Sequence, residues 1–374
     1  MPYLDYAATT PTSKHAIDTM LETMEIFYGN PSSLHDEGIK ARKWMNQHKN
    51  TVARLMHADR KQILFTSSGT EAINLAIKGM YFKHPNKQYI TTTIEHHATS
   101  HAIDFIESLG ANVKRISVNP KGYLNYDELE TALKENETAL ISVIYANNEI
   151  GSLQDVQKIT TLAKQYGAKV HLDMVQAPLY LPIDVQVLDV DFISISGHKF
   201  HGPRGIGCLY VKDITSIENL IHGGKQEFSK RSGTENLPAI AGFTVALEDA
   251  YGHAQSVYRH TQTLATYFLE LLNEHGIIYR LNGPNLEERR LPNILNIGFK
   301  DQDAQMLSFE LNQHGVYVSL GSACNSDNIE PSHVLKAINV PQAYIHGSIR
   351  FSFSIQTTKD DIKYTVDTLA KLLS

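Results

Sequence analysis

Short apolar, β-branched runs alternate along the chain with longer stretches of helical periodicity. Lys61–Thr66 (KQILFT) reads as a strand end that turns through Ser67, Ser68, Gly69 and Thr70 into a helix, EAINLAIKGMYF. A strand at QYITTT, a helix over His97–Leu109, a strand at NVKRISV and a helix over Tyr126–Leu133 follow. Ala139–Tyr145 (ALISVIY) is a continuous apolar run, the pattern of a parallel strand buried on both faces. Val156–Tyr166 reads as helix, and Lys169–Asp173 and Val190–Ser196 read as strands. This alternation predicts an α/β fold with a mostly parallel sheet covered on both sides.

From around residue 255 the pattern changes. A long helical stretch over Ser256–His275 precedes ILNIGF, the helix AQMLSFELNQHG, a strand VYVSL, a small-residue loop, the strand SIRFSFS and a closing helix. That mixture predicts a smaller α+β unit. The pattern leaves open whether the first dozen residues join it.

At 374 residues the chain has the length of about two domains. With 42% hydrophobic and 20% charged residues it is neither disordered nor fibrous. A net charge of −6 argues against a protein built to bind nucleic acid directly, while leaving room for a local basic patch facing an RNA-handling partner. Two cysteines, Cys208 and Cys324, make no disulfide framework, which fits a reducing compartment. The opening MPYLDYAATTP carries Asp5 and no basic-then-apolar run, so no signal peptide is expected. No uncharged apolar stretch approaches the ~18 residues of a membrane span. The expectation is a cytoplasmic protein with no membrane partner.

Several catalytic templates fail. Tyr210 stands where the third glycine of a dinucleotide fingerprint would follow Gly205 and Gly207. Gly224-Lys225 is followed by Gln226, and Asn219 takes the upstream glycine place of a P-loop. There is no G-x-S-x-G elbow. His97 and His101 share a helical face, but no acid or cysteine stands at metal-ligand spacing, so no metal is expected. Cys208, inside GIGCLYV, reads as a buried, inert thiol.

Three pieces do combine. DFISIS runs into Gly197-His198-Lys199 and a glycine- and proline-rich loop. A lysine at a strand end in tight surroundings suits Schiff-base chemistry. His171-Leu172-Asp173 ends an earlier strand. Ser68-Gly69-Thr70 precedes a helix whose N-terminal N–H groups form an anion cup. Taken singly these read as a surface lysine, a strand-end acid and a helix cap. In this chain order they match a pyridoxal phosphate (PLP) site. The lysine holds the aldehyde, the acid keeps the pyridine nitrogen protonated, and the cup takes the phosphate, all at the carboxyl ends of strands.

The motifs then resemble a family: the NifS/IscS group of cysteine desulfurases, class-V aminotransferases among the fold-type-I PLP enzymes. The resemblance rests on LDYAATTP (4–11), GNPSSLH (29–35), FTSSGTEAINLAIKG (65–79), EHHA (95–98), NNEIG (147–151), HLDMVQA (171–177), SGHKFHGPRGIGCLYV (196–211), RSGTEN (231–236), GSACNS (321–326), EPSHVL (330–335) and SIRFS (348–352). It implies a large domain, 13–254, with a seven-stranded-type, mostly parallel sheet. A small domain, 1–12 with 255–374, would carry the Cys324 loop. It implies Lys199 as the cofactor lysine and Asp173 as the pyridinium partner. Gln176 and Asn148 would lie at the ring edge, Asn148 also near substrate, and His96 would stack on the ring and move protons. Gly69, Thr70, Ser196 and His198 would hold the phosphate, and Thr234 would reach the phosphate of a neighbouring subunit in a homodimer. Arg350 would clamp the substrate carboxylate.

The implied reaction takes sulfur from L-cysteine, leaving L-alanine and a persulfide on Cys324 for an acceptor protein. The alternatives are a selenocysteine lyase, another PLP lyase or aminotransferase, or a sulfur carrier that has lost catalysis. Lys225 departs from the group's usual GGGQE segment and puts the geometry of that loop in question. The short stretch after the final helix favours a dedicated acceptor such as a tRNA-thiolation enzyme over an iron–sulfur scaffold.

Overall fold

A computed structural model describes residues 1–320 and 331–373. GSACNS, and with it Cys324, lies outside the described residues. Seven strands form one sheet: β1 (Ile63–Thr66), β2 (Gln88–Thr92), β3 (Asn112–Ile116), β4 (Thr138–Ile144), β5 (Lys169–Asp173), β6 (Phe192–Ser196) and β7 (Gly207–Val211). Their order is β1-β7-β6-β5-β4-β2-β3. β7 runs antiparallel to β1 and β6, and the remaining pairs are parallel. The expected mostly parallel α/β sheet is therefore present.

Side-chain alternation places successive residues of each strand on opposite faces. Cys208 and Tyr210 of β7, with Ile193 and Ile195 of β6, enter one core; Leu209, Val211 and Phe192 enter the core on the other face. Helices cover both faces, so β4 is buried at all of its positions, as its unbroken apolar run requires. β7 is the strand that the pattern misses. Its GCLYV segment is apolar and β-branched, but apolarity does not encode direction.

A second sheet is antiparallel, β10-β9-β8, from β8 (Tyr279–Asn282), β9 (Ile294–Phe299) and β10 (Ser348–Ser352). The N-terminal segment is stitched to it: Asp5 bridges to Ser352, and Leu4 packs in its core with Phe268, Phe351 and Phe353. The expected strand VYVSL is reduced to bridges at Tyr317 and Ser319, because it pairs first with the N-terminal segment and then with Arg350.

One 38-residue helix, Leu237–Glu274, runs through both cores. Its first half packs Ile240, Phe243 and Leu247 on the large sheet's core, and its second half packs Leu264, Phe268 and Leu272 on the small one. The helix expected to start at Ser256 is only its second half. The true start is the Asn236 cap, whose side chain accepts the Ala239 N–H, with proline in the first turn. Among the described residues no helix is long and apolar enough to cross a membrane.

The anion cup sits against the sheet without slack. A Cβ at Gly207 would lie 2.4 Å from the Ser68 carbonyl carbon and 2.7 Å from the Gly69 nitrogen. Gly252, within the long helix, has nothing within 4 Å. Gly207→Ala is expected to destabilise by about 1–3 kcal/mol through overpacking. Gly252→Ala is expected to stabilise by up to about 1 kcal/mol through helix propensity. Thermal denaturation of the two variants checks the opposite signs.

Candidate active site

Adjacent parallel strands bring the key acid and base together. Asp173 ends β5 opposite Ser194 of β6, and Lys199 lies in the tight turn directly after β6. Both line a cavity of about 270 Å³ at the carboxyl end of the sheet. Gly69, Thr70, His96, Asn148, Gln176, Ser196, His198 and Arg350 line it too. The structure thus gathers every expected site residue within the described part of one chain except Thr234. Thr234 is exposed and borders a separate groove with Phe27, Tyr28 and Asn30.

Asp173 is 3% exposed, and its Oδ1 accepts the Val175 N–H at 3.0 Å. Burial pushes its carboxyl up to about 6, although that hydrogen bond and the Lys199 charge favour the anion. Lys199 Nζ donates to the carbonyls of Ala7 at 2.5 Å and Ala8 at 2.9 Å. Gln176 Nε2 donates to the same Ala7 carbonyl at 2.8 Å. The N-terminal segment therefore forms a wall of the site, a role that its sequence does not announce.

Ser68 caps the helix Gly69–Lys83, its hydroxyl accepting the Glu71 N–H. This leaves an N-terminus directed into the cavity beside Ser196 and His198. Burial and the Lys199 charge lower His198 to about 4.

His96 caps the helix His97–Ser108, its Nδ1 accepting the Ala98 N–H at 3.1 Å. Burial, then the Lys199 charge, pushes it down to about 4, so it is neutral at pH 7. Its remaining nitrogen, Nε2, carries the hydrogen.

Arg350 is 2% exposed; its Nη1 donates to the Asn148 carbonyl at 3.0 Å and its Nη2 to Asp5 Oδ1 at 2.7 Å.

Sequence reasoning assigns no role to three further groups here. His333 and Glu149 line the cavity. Glu95 lies behind it, with Oε1 accepting the Thr92 hydroxyl at 2.5 Å and the Ile144 N–H at 3.0 Å. Its Oε2 is buried without a hydrogen-bond partner. Burial raises Glu95 to about 8, and the nearby Asp173 charge adds to that. The signals lie inside EHHA, NNEIG and EPSHVL, but no spacing rule distinguishes these residues from their neighbours.

Cys208 is fully buried and its thiol pKa is raised by burial, as an inert cysteine requires. His97 and His101 stack face to face with ring centroids 5.2 Å apart. Among the described residues no cluster of His, Cys, Asp or Glu is arranged to hold a metal. Lys225 is exposed beside a turn in which Glu227, Phe228 and Ser229 take φ of 44°, 58° and 65°. A buried Lys49–Glu227 pair at 2.5 Å pins that turn.

The aminotransferase class-V family model matches residues 2–365. A cysteine desulfurase IscS of Dictyoglomus turgidum is 41% identical over 99% of this chain and 94% of its own length. The chain belongs to the cysteine desulfurases of the class-V aminotransferase family. A cysteine desulfurase IscS of Methanosarcina thermophila is 39% identical over 99% of this desulfurase-family chain and 91% of its own. A solved NifS-like protein superposes with a TM-score of 0.92 at 33% identity, covering 100% of this chain and 99% of that one. The structure of SspA in complex with cysteine gives 0.83 at 32% identity, covering 96% and 100%.

Class-V aminotransferases are PLP-dependent, and the residues of this desulfurase-family site fit that group. A buried carboxyl with Lys199 as the cation near it among the described residues suits a protonated ring nitrogen. A capped helix N-terminus suits a phosphate, and Lys199 is the one lysine lining the cavity among the described residues.

Glu95 offers a test of the buried electrostatics. Its folded pKa of about 8 lies above the ordinary 4.5, so the folded state holds the proton more tightly. Stability from this group is complete below about 4.5 and is lost as pH rises towards 8. Glu95→Gln is therefore expected to stabilise the protein by about 2–4 kcal/mol at pH 8, with the gain vanishing near pH 4.5. Denaturation midpoints of both proteins across that range check it.

Proposed function

We propose that the cavity holds PLP on Lys199 and that the chain takes sulfur from L-cysteine, releasing L-alanine and leaving a persulfide on Cys324. The observation that carries this reading is the pairing of buried Asp173 with Lys199 at neighbouring strand ends, facing a capped helix N-terminus. When bound, the cofactor supplies an electron sink for negative charge at the substrate α-carbon.

The chain's own residues do the rest. Asp173 holds positive charge at the ring nitrogen. Lys199, already held by the Ala7 and Ala8 carbonyls, is placed to remove and return the α-proton. Gly69, Thr70, Ser196 and His198 bind the phosphate, and Gln176 and Asn148 fix the ring edge. His96, lining the cavity, would stack on the ring and offer its Nε2–H as a neutral donor. Arg350 takes the substrate carboxylate with a planar guanidinium that Asp5 orients. Substrate must share that guanidinium with Asp5. Cys324, as thiolate, takes the sulfur and passes it on.

Thr234 would complete the phosphate site of a second copy, which makes the working form a homodimer. The exposure of Thr234, outside its own chain's cavity, supports this. The two cores support division into a large domain, 13–254, and a small one, 1–12 with 255–374. The sulfur acceptor would be a protein, a tRNA-thiolation enzyme or an iron–sulfur scaffold, and the location cytoplasmic.

Borohydride reduction of the PLP-loaded protein, followed by peptide mapping, is expected to find the cofactor on Lys199. Cys324→Ala is expected to keep the bound-cofactor spectrum and still bind L-cysteine, yet to lose alanine formation by at least about 10²-fold. Normal turnover by that variant, or label on another lysine, would overturn the reading.

A further inference from the structure

We propose that His333 is the base that accepts the sulfhydryl proton of bound L-cysteine. The proposal rests on the reading of L-cysteine as substrate and adds a residue to its chemistry.

His96 cannot fill this role. Its Nδ1 already accepts the Ala98 N–H, and its Nε2 therefore carries the hydrogen. It is a donor at the cavity and has no bare nitrogen to offer. His333 has the complementary arrangement. Its Nε2 lies 2.9 Å from the Glu95 backbone carbonyl, which can only accept, so this nitrogen carries the hydrogen. Nδ1 is then the bare nitrogen, and among the described residues it has no hydrogen-bond partner.

The ring cannot easily turn to exchange the two. It leans on His97 with centroids 5.3 Å apart, and His97 in turn stacks on His101. Ser332 caps the short helix His333–Ala337, accepting the Val334 N–H, and so sets where the imidazole starts. With the carboxylate at Arg350, the amine at Lys199, the ring nitrogen at Asp173 and the phosphate at His198, the cavity's remaining titratable wall among the described residues is His96, His97, Glu149 and His333.

Glu149 is fully buried, and the His333 and Arg350 charges both favour its ionised form against the burial that raises it. The other titratable groups that interact with His333 are His96 and His97, and the Glu95 carbonyl meets its Nε2; His101 stacks behind His97, and Lys199, Arg350, Asp173 and His198 line the same cavity. Lys336 lies on its own short helix. In the step itself the S–H bond breaks and its electron pair stays on sulfur. A new N–H bond forms on His333 Nδ1, giving an imidazolium and a substrate thiolate. No oxidant or reductant is needed.

The test compares PLP-loaded wild type with His333→Gln, whose amide keeps an N–H for the Glu95 carbonyl but is no base. Alanine formation from L-cysteine is followed from about pH 6 to about pH 9, across the thiol's own ionisation near 8.5. At pH 7 the variant's kcat/KM is expected to fall about 10²-fold. It should then climb nearly tenfold per pH unit until the gap closes to a few-fold, while binding of L-alanine, which has no thiol, stays unchanged. A variant profile parallel to wild type, or weakened L-alanine binding that accounts for the loss, overturns the proposal. Histidine ¹⁵N spectra of the wild type, which need no variant to fold, are expected to show His333 protonated on Nε2 alone. A neutral ring protonated on Nδ1 overturns it. Failure of the wild type to form alanine would count against the desulfurase reading instead, and the ring spectra still decide His333.

Discussion

A carboxyl group held out of water at the end of β5 is the constraint around which the site is arranged. Asp173 pays a desolvation cost that its own chain does not fully offset: one backbone N–H and one lysine charge leave it titrating near 6. A cationic ring nitrogen beside it would relieve that cost, so the acid and the cofactor stabilise one another. The parallel register that puts Asp173 opposite Ser194 also fixes the distance to Lys199, one turn beyond β6. Burial on both faces keeps that register from slipping, because a shift of one residue would turn every side chain to the wrong core.

The second constraint is a division of labour among neutral and charged groups. His96, His198 and His171 are all held below the ordinary histidine range by burial. Lys199 and Arg350 are the lysine and arginine lining the cavity among the described residues. Arg350 is fixed by Asp5, and Lys199 by two carbonyls of the same N-terminal segment. That segment belongs to the small sheet through the Asp5–Ser352 bridge while it lines the site set by the large one. The two sheets thus meet at Lys199 and Arg350.

Much of this is legible in the sequence, for physical reasons that differ by residue. Asp173 and Lys199 stand out because strand ends are visible as breaks in apolar runs, and because the acid, the lysine and the helix-start cup occur together in one chain order, although each alone is commonplace. Gly69 and Thr70 stand out because a small residue after a Ser cap marks a helix start. Ala7 and Ala8 act through backbone carbonyls, which are identical at every residue, and their contact with Lys199 spans nearly two hundred positions. Glu95 and Glu149 are acids in the interior, and a pattern cannot show that an acid is buried. The direction of β7 and the upstream half of the long helix are set by packing across the sheet and by the Asn236 cap, not by local periodicity.

The helix Leu237–Glu274 rises about 57 Å at 1.5 Å per residue. Both hydrophobic cores grip the same rod, so rotating one sheet against the other would mean bending a continuous ladder of backbone hydrogen bonds. Catalysis here is therefore served by a stiff chassis. Adjustment is then easier for side chains and connecting loops than for the two sheets that carry Asp173, Lys199 and Arg350.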